Sequence, residues 1–465
     1  MRHLIFCAIA LLAMLNCTDS SSNSGEEEVY TPPVPPSFEC VDGLSAGTYP
    51  CSNIDLIAHV DTSALRVSQS VSGVSINDMW AWMDPATSKK YALIGLTNGV
   101  TFVDITTPNE PIVVGFLPES SVSNKIFNSN QFEACTYGIG ERIQYSNATQ
   151  ASVWRDMKVF NNYMYVVSDG QSHGLQYFDL TKLRNYDGSF ITFEQDGVYT
   201  NIQNAHNIAI NEETGFGYIF GVTNADQCVV RNSETNKVEQ SGIYIVDLNS
   251  SNPVFAGCYF DSQIDKYSNP NIAPDYIHDG QCINYSGPDS KYSGKEVCFN
   301  SAEGAIAIVD VSDKTNPQTI GFSGQSTIHY SHQGWLTEDQ DYFIMNDETD
   351  EINLGRNTKT YIWDITSLED PQFVGFYDHS TSSIDHNLYI KGDFIYQSNY
   401  NSGLRILEIG NLSTASLSEV AYFDTHPENN GSTFDGAWSN YPFFDDIVLV
   451  SDINRGLFIL KPNLN

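Results

Sequence analysis

Four histidines recur between residues 206 and 386, each followed by a polar residue: His206-Asn207, His278-Asp279, His332-Gln333 and His386-Asn387, the last preceded by Asp385. Three related strings, Trp80-Ala81-Trp82, Trp154-Arg155-Asp156 and Trp438-Ser439, stand at comparable places. Neutral imidazoles and carboxylates that converge on one point hold a divalent cation. Sets containing histidine favour Zn, Mn or Fe, and all-oxygen sets favour Ca. Such an ion activates water or polarises a bound group. The competing reading is architectural: in a repeat protein an inward His or Asp often satisfies backbone groups of the neighbouring repeat. A second concentration of charge, Asn346-Asp347-Glu348-Thr349-Asp350-Glu351-Ile352, lacks the residue order of an EF-hand loop and reads as a solvated turn, with a Ca site as the alternative. No G-x-S-x-G, P-loop, H-E-x-x-H or G-x-G-x-x-G occurs in a suitable strand-to-helix context, and no carboxylate pair is spaced for glycoside hydrolysis.

The elements that must position these residues are legible in residues 385–424. HNLYI, FIYQS, LRILEI and SEVAYF are short alternating runs rich in aromatic and branched side chains, separated by Gly, Asn and Asp, which predicts four antiparallel strands. The third strand gives a ruler: usually Gly, then four mostly apolar residues, then an acidic residue. It recurs from Gly99, Gly174, Gly242, Ala305, Lys359, Gly403 and Gly456, at intervals of 44 to 75 residues. The fourth strand recurs as PIVVGFL, PVFAGCY, PQTIGFS and PQFVGFY. Seven four-stranded units at this period predict an all-β fold, a seven-bladed β-propeller, rather than β-sandwiches in tandem. The last copy has no fourth strand after Lys461, whereas residues 54–61, IDLIAHVD, resemble one ahead of the first blade; that strand is expected to complete the last blade and close the ring.

In a propeller the first strands line a central channel, and the loops between second and third strands emerge on the same face as the approach to the first. Asp156, His206, His278, Asp279, His332, Asp347, Glu348, Asp385 and His386 are therefore expected around one channel mouth, with His206, His278, His332 and His386 as the metal-ligating candidates. A divalent metal (Ca, Zn or Mn) is the one cofactor these residues suggest. The tryptophans are expected to pack at the narrow end of the blades.

Lys and Arg number 22 against 57 Asp and Glu, a net charge of −35, a field that repels nucleic acid and anionic membrane surfaces. Residues 1–17 join a basic start and an apolar run, Leu4 to Leu15, to Cys17. This pattern predicts a lipoprotein-type signal with Cys17 lipidated, ordinary secretion being the alternative. Residues 18–38, acidic and then Pro-rich, read as a disordered tether, and residues 39–465 as the propeller. In an exported chain, Cys40 with Cys51, Cys228 with Cys258 and Cys282 with Cys298 are disulfide candidates; Cys135 is left over, and no pair shows thiolate-zinc spacing.

The strings AHNIAI, IHDGQC, SHQGWLTEDQDYFIMNDETDE, DHNLYIKGDFIYQSNYNSGLRILEI and SDINRGLFIL, with LVIVD-like GIYIVDL and AIAIVDV, resemble the choice-of-anchor B family of exported LVIVD-repeat proteins. The resemblance implies a propeller and a surface anchor, here the lipoprotein type in the cell envelope and facing outward, and it implies no reaction. The expected function is a non-catalytic binding or scaffold module whose channel mouth recognises a protein, glycan or small ligand. The alternative is a metal-dependent hydrolase with Asp156 or Glu348 as base. The membrane is expected to be a partner only through the lipid.

Overall fold

The computed structural model describes residues 38–66, 73–120, 152–170, 172–231, 238–261 and 276–464. Cys17, the tether up to residue 37 and Cys135 lie outside the described residues.

Among the described residues two two-stranded ribbons stand apart, and seven sheets of four to six strands form the blades, antiparallel except where Ile191–Thr192 adds in parallel to the outer strand of blade 1. Their innermost strands are Ile76–Met83, Arg155–Phe160, Asn207–Asn211, Asp279–Asn284, Ser331–Leu336, Leu388–Lys391 and Ala437–Tyr441. Each packs against the next and the seventh packs against the first, so the sheets form a closed seven-bladed β-propeller. Blade 5 shows the pattern: Ser331–Leu336, Tyr342–Asp347, Lys359–Asp364 and Gln372–Asp378 pair in sequence order. The closed ring excludes sandwiches in tandem. The last blade is completed as the sequence predicts: Ile54–Asp61 pairs antiparallel with Gly456–Pro462, from Ile54↔Pro462 to Asp61↔Gly456. Just before it, Tyr49–Ser52 adds to the outer edge of blade 6, where Cys51 pairs with Phe423.

Both faces of every blade are buried, because apolar clusters lie between blades and not within them. One joins blades 1 and 2 through Leu93, Phe102, Met164 and Phe178; another joins blades 4 and 5 through Phe299, Ile308, Phe343 and Trp363. This explains near-continuous apolar third strands such as IYIV and IAIV, where a one-sided sheet would alternate. The acidic residue that ends the ruler has a separate task. Asp104, Asp247, Asp310 and Asp364 each accept a hydrogen bond from the N–H two residues on, turning the chain out of the strand.

The fourth-strand glycine is explained by close approach. A bulge precedes Gly115, Gly257, Gly321 and Gly375 in the register of their strands. A Cβ on Gly257 would lie 1.6 Å from the Lys314 carbonyl oxygen of blade 4, and one on Gly321 2.3 Å from the Leu368 oxygen of blade 5. Three disulfides, Cys40–Cys51, Cys228–Cys258 and Cys282–Cys298, form as expected. Among the described residues no helix is long and apolar enough to cross a membrane.

Candidate metal and ligand site at the channel mouth

The four histidines stand where blades 3 to 6 begin their inner strands, and ring closure brings them side by side. Neighbouring ring centroids are 4.5 Å apart for His206 and His278, 4.2 Å for His278 and His332, and 4.3 Å for His332 and His386. Each Nδ1 faces an acceptor. His278 Nδ1 lies 2.9 Å from the His332 carbonyl oxygen, and His386 Nδ1 2.6 Å from that of Trp438. His206 Nδ1 lies 2.9 Å from Asp169 Oδ2. His332 Nδ1 faces the backbone of His386 without closing a hydrogen bond of ordinary geometry. An imidazole that donates from Nδ1 keeps a lone pair on Nε2, the arrangement metal-binding histidines use.

Burial and the neighbouring imidazoles hold His278 and His332 well below the ordinary histidine range, and burial takes His386 down to about 3. These rings are neutral at physiological pH, as ligation requires. For His206 burial also opposes charge, but Asp169 outweighs it and the pKa is raised.

Glu348 follows the second strand of blade 5 and lies between two of the rings. Its Oε2 is 3.7 Å from His332 Nε2 and its Oε1 3.6 Å from His386 Nε2. One ligand atom from each of these three residues fits within 4.8 Å of the others. Tyr400, from the second-to-third loop of blade 6, donates to Glu348 Oε1 at 3.1 Å and fixes the carboxylate. Burial raises Glu348 to about 7, a shift that a cation at this point would reverse. Two imidazoles and a carboxylate suit a transition ion of the Zn or Mn kind better than Ca.

The pocket beside this set is narrow, with room for a guest the size of a water or an ion. Trp154 and Trp438 form its walls, with His386 and Trp438 5.0 Å apart between ring centroids, and Asp78 is also in its lining. These two tryptophans therefore stand at the mouth, contrary to expectation: they precede or open their inner strands, so they lie on the same side as the histidines. Trp80 and Trp335 do pack farther along, in an aromatic cluster with Tyr389, Tyr441 and Phe443.

Asp156 and Asp279 lie one position farther along their strands than the mouth-lining residues and are engaged in a different task. Asp156 binds Lys158 Nζ at 2.6 Å and accepts from Ile208 N–H of blade 3 at 2.9 Å. Asp78, Asp156 and Asp279 each accept from the N–H of the following residue, which marks them as equivalent positions in blades 1, 2 and 4. Gln281 and Gln333 likewise accept from Leu336 N–H and Leu388 N–H of the next blade. Asp156, Gln281 and Gln333 thus satisfy a backbone N–H of the neighbouring blade. Asp347 is buried beneath the mouth, where its oxygens accept from His329 N–H and Tyr330 N–H, and Asp385 is buried near it.

The sequence does not single out Asp78, Lys158 or the mouth role of Trp154 and Trp438, whereas Tyr400 lies in one of the polar second-to-third loops expected at the mouth. Asp78 was hidden because blade 1 begins at Ile76, four residues before the Trp80 string, with a bulge ahead of Met79.

The family description "LVIVD repeat" matches residues 83–117, 298–322 and 386–425, which fall in blades 1, 4 and 6. Together with the seven blades, these matches support a propeller built on LVIVD repeats. No curated protein matches the chain significantly. Among solved structures, that of U3-55K is similar at 8% identity and TM-score 0.46, covering 88% of this chain and 98% of that one. A protein from Lactobacillus plantarum is similar at 11% identity and TM-score 0.44, covering 81% and 88%. The computationally designed Ika8 protein is similar at 8% identity and TM-score 0.42, covering 83% of each chain.

Proposed function

We propose that this protein is a non-catalytic binding module, held at the cell envelope by a lipidated Cys17, whose channel mouth recognises its ligand through a divalent ion. The observation that carries the reading is the convergence of His332, Glu348 and His386, with ligand atoms within 4.8 Å of one another, where His332 and His386 also line a narrow pocket together with Trp154 and Trp438. Three protein ligands leave a fourth position on a tetrahedral ion, which a carboxylate or hydroxyl of a protein, glycan or small ligand fills. The pocket admits a protruding group of that size and not a whole molecule. The envelope location is supported by the apolar run ending at Cys17, and by three disulfides, which form in oxidising compartments.

Two histidines with one glutamate also form the ligand set of some zinc hydrolases, which keeps a hydrolase as the second reading. The two candidate bases weigh against it. Asp156 is occupied by Lys158 and the Ile208 N–H, and Glu348 is itself a ligand in this arrangement.

Elemental analysis and Zn²⁺ or Mn²⁺ titration of the full chain, purified without chelator, test the reading. One ion per chain is expected, with affinity lowered more than about 100-fold in His332→Ala and in His386→Ala, beyond the loss typical of outer-sphere partners. Failure of both ions to bind the wild-type chain in stoichiometric amount overturns it.

A further inference from the structure

Alternation along the inner strands sets two further layers of side chains below the mouth. In extended chain, residues i and i+2 face the same way. Asp78 and Trp80 of blade 1, Asp156 and Lys158 of blade 2, Gln333 and Trp335 of blade 5, and Asn387 and Tyr389 of blade 6 are such pairs, on the inner strands or at their start. The first member of each pair is short and polar, the second long or aromatic. Gln333 and Asn387 directly follow the mouth histidines of their blades.

Both layers join blades that are not neighbours. Asn387 Nδ2 donates to Asp78 Oδ2 at 3.1 Å, although blade 7 stands between blades 6 and 1, and to Ser439 Oγ of blade 7 at 3.0 Å. One layer deeper, Trp80 and Tyr389 lie 5.8 Å apart between ring centroids across the same gap. Trp335 and Phe443 lie 6.0 Å apart although blade 6 separates them, and Tyr389 packs on both, at 5.0 and 5.8 Å. From blade 2, Lys158 Nζ sits 2.6 Å from Asp156 Oδ1 and 4.7 Å from the centre of the Trp80 ring. An open channel would leave such innermost side chains wet. Asp78, Asp156, Gln333 and Asn387 are instead exposed by only 5%, 2%, 3% and 4%.

We propose that the channel is a blind socket with a single entrance, its floor the polar layer and its plug the rings beneath. A polymer cannot thread it, so the ligand is one that offers an end group at the mouth. Where the socket acts on the ion, the proposal rests on the metal-dependent reading above. The ion then enters and leaves past Trp154 and Trp438, which line the pocket together with His332, His386, Asp78 and Asn387. Binding is ordered: the ion goes in first, and a ligand that takes its open position closes the ion's way out.

Labelling of the full chain with a charged methanethiosulfonate reagent tests the closed floor without any ion. Above the wild-type background, Trp154→Cys at the mouth should react rapidly. Gln333→Cys in the polar layer should react about 100-fold more slowly, as a group exposed only by local opening does. Equal rates overturn the proposal. Should Gln333→Cys fail to fold, Asn387→Cys in the same layer takes its place. Stopped-flow transfer of Zn²⁺ from the loaded chain to EDTA tests the exit. Trp154→Ala should release the ion severalfold faster than the wild type, and Trp80→Ala at the wild-type rate, because the polar layer still closes the floor. The reverse order shows an ion leaving by the far end and overturns the single entrance. A chain that takes up no Zn²⁺ removes the metal reading, and the labelling rates still decide the socket.

Discussion

Asp279 shows how a buried side chain inside the ring gains a pH dependence without a reaction to perform. Burial first, and the Asp156 charge second, push its pKa up to about 8, while Lys158 opposes the shift; Asp78 reaches about 7 for the same reasons. A carboxyl group whose folded pKa is raised binds more protons in the native state than in the unfolded one. Its contribution is fully present below the ordinary range near 3.8 and is lost as pH rises toward 8. The neutral histidines act with the opposite sign: the contributions of His278, His332 and His386 are present above about 6.5 and lost on acidification. Urea unfolding of Asp279→Asn and the wild type from pH 4 to 8 isolates the carboxyl term. The stability difference should change in favour of the variant by up to about 1.4 kcal/mol per pH unit as pH rises. A pH-independent difference would refute the buried protonated carboxyl. At this scale the histidines were legible because imidazoles at strand starts stand out in a sequence with 10 of them. Asp78 was not, because a bulge displaces it from the string that marks its blade. The tryptophans misled because an indole serves equally as core packing and as a pocket wall, and its name carries no direction.

Among the elements, the fourth strand carries a glycine that the next blade leaves no room to replace. The Pro-x-x-x-Gly pattern was visible as a repeat, and its reason was not, since the atom that forbids a side chain belongs to the following blade. Gly257→Ala places a methyl group on the Lys314 carbonyl, a backbone atom that cannot swing aside. Separating blades 3 and 4 by that amount should cost about 1–3 kcal/mol or more, read as a lowered urea midpoint with little change in slope. An unchanged midpoint would mean that the two blades slide freely at this contact. The acidic end of the ruler was legible in the same partial way: Asp was seen to recur, and the hydrogen bond to the residue two positions on supplies the cause.

For the whole molecule, the count of seven and the closing strand could both be read from the chain, because a repeat whose last copy is incomplete must find its missing strand elsewhere. Removing residues up to Asp61 leaves Gly456–Pro462 as an open edge and strips Val60 from the cluster between blades 7 and 1. Size-exclusion chromatography with light scattering should then show self-association through the bare strand, together with a lower Tm; a stable monomer would argue that the ring holds without its clasp. The same clasp dictates an order of events during synthesis. Ile54 pairs with Pro462, so a strand made before the first blade is used last, and the ring stays open until the final blade has been produced. An emerging chain thus waits, unlatched, for its seventh blade. A ribosome that stalls anywhere in the last blade would release a product that can be recognised and degraded as unfinished.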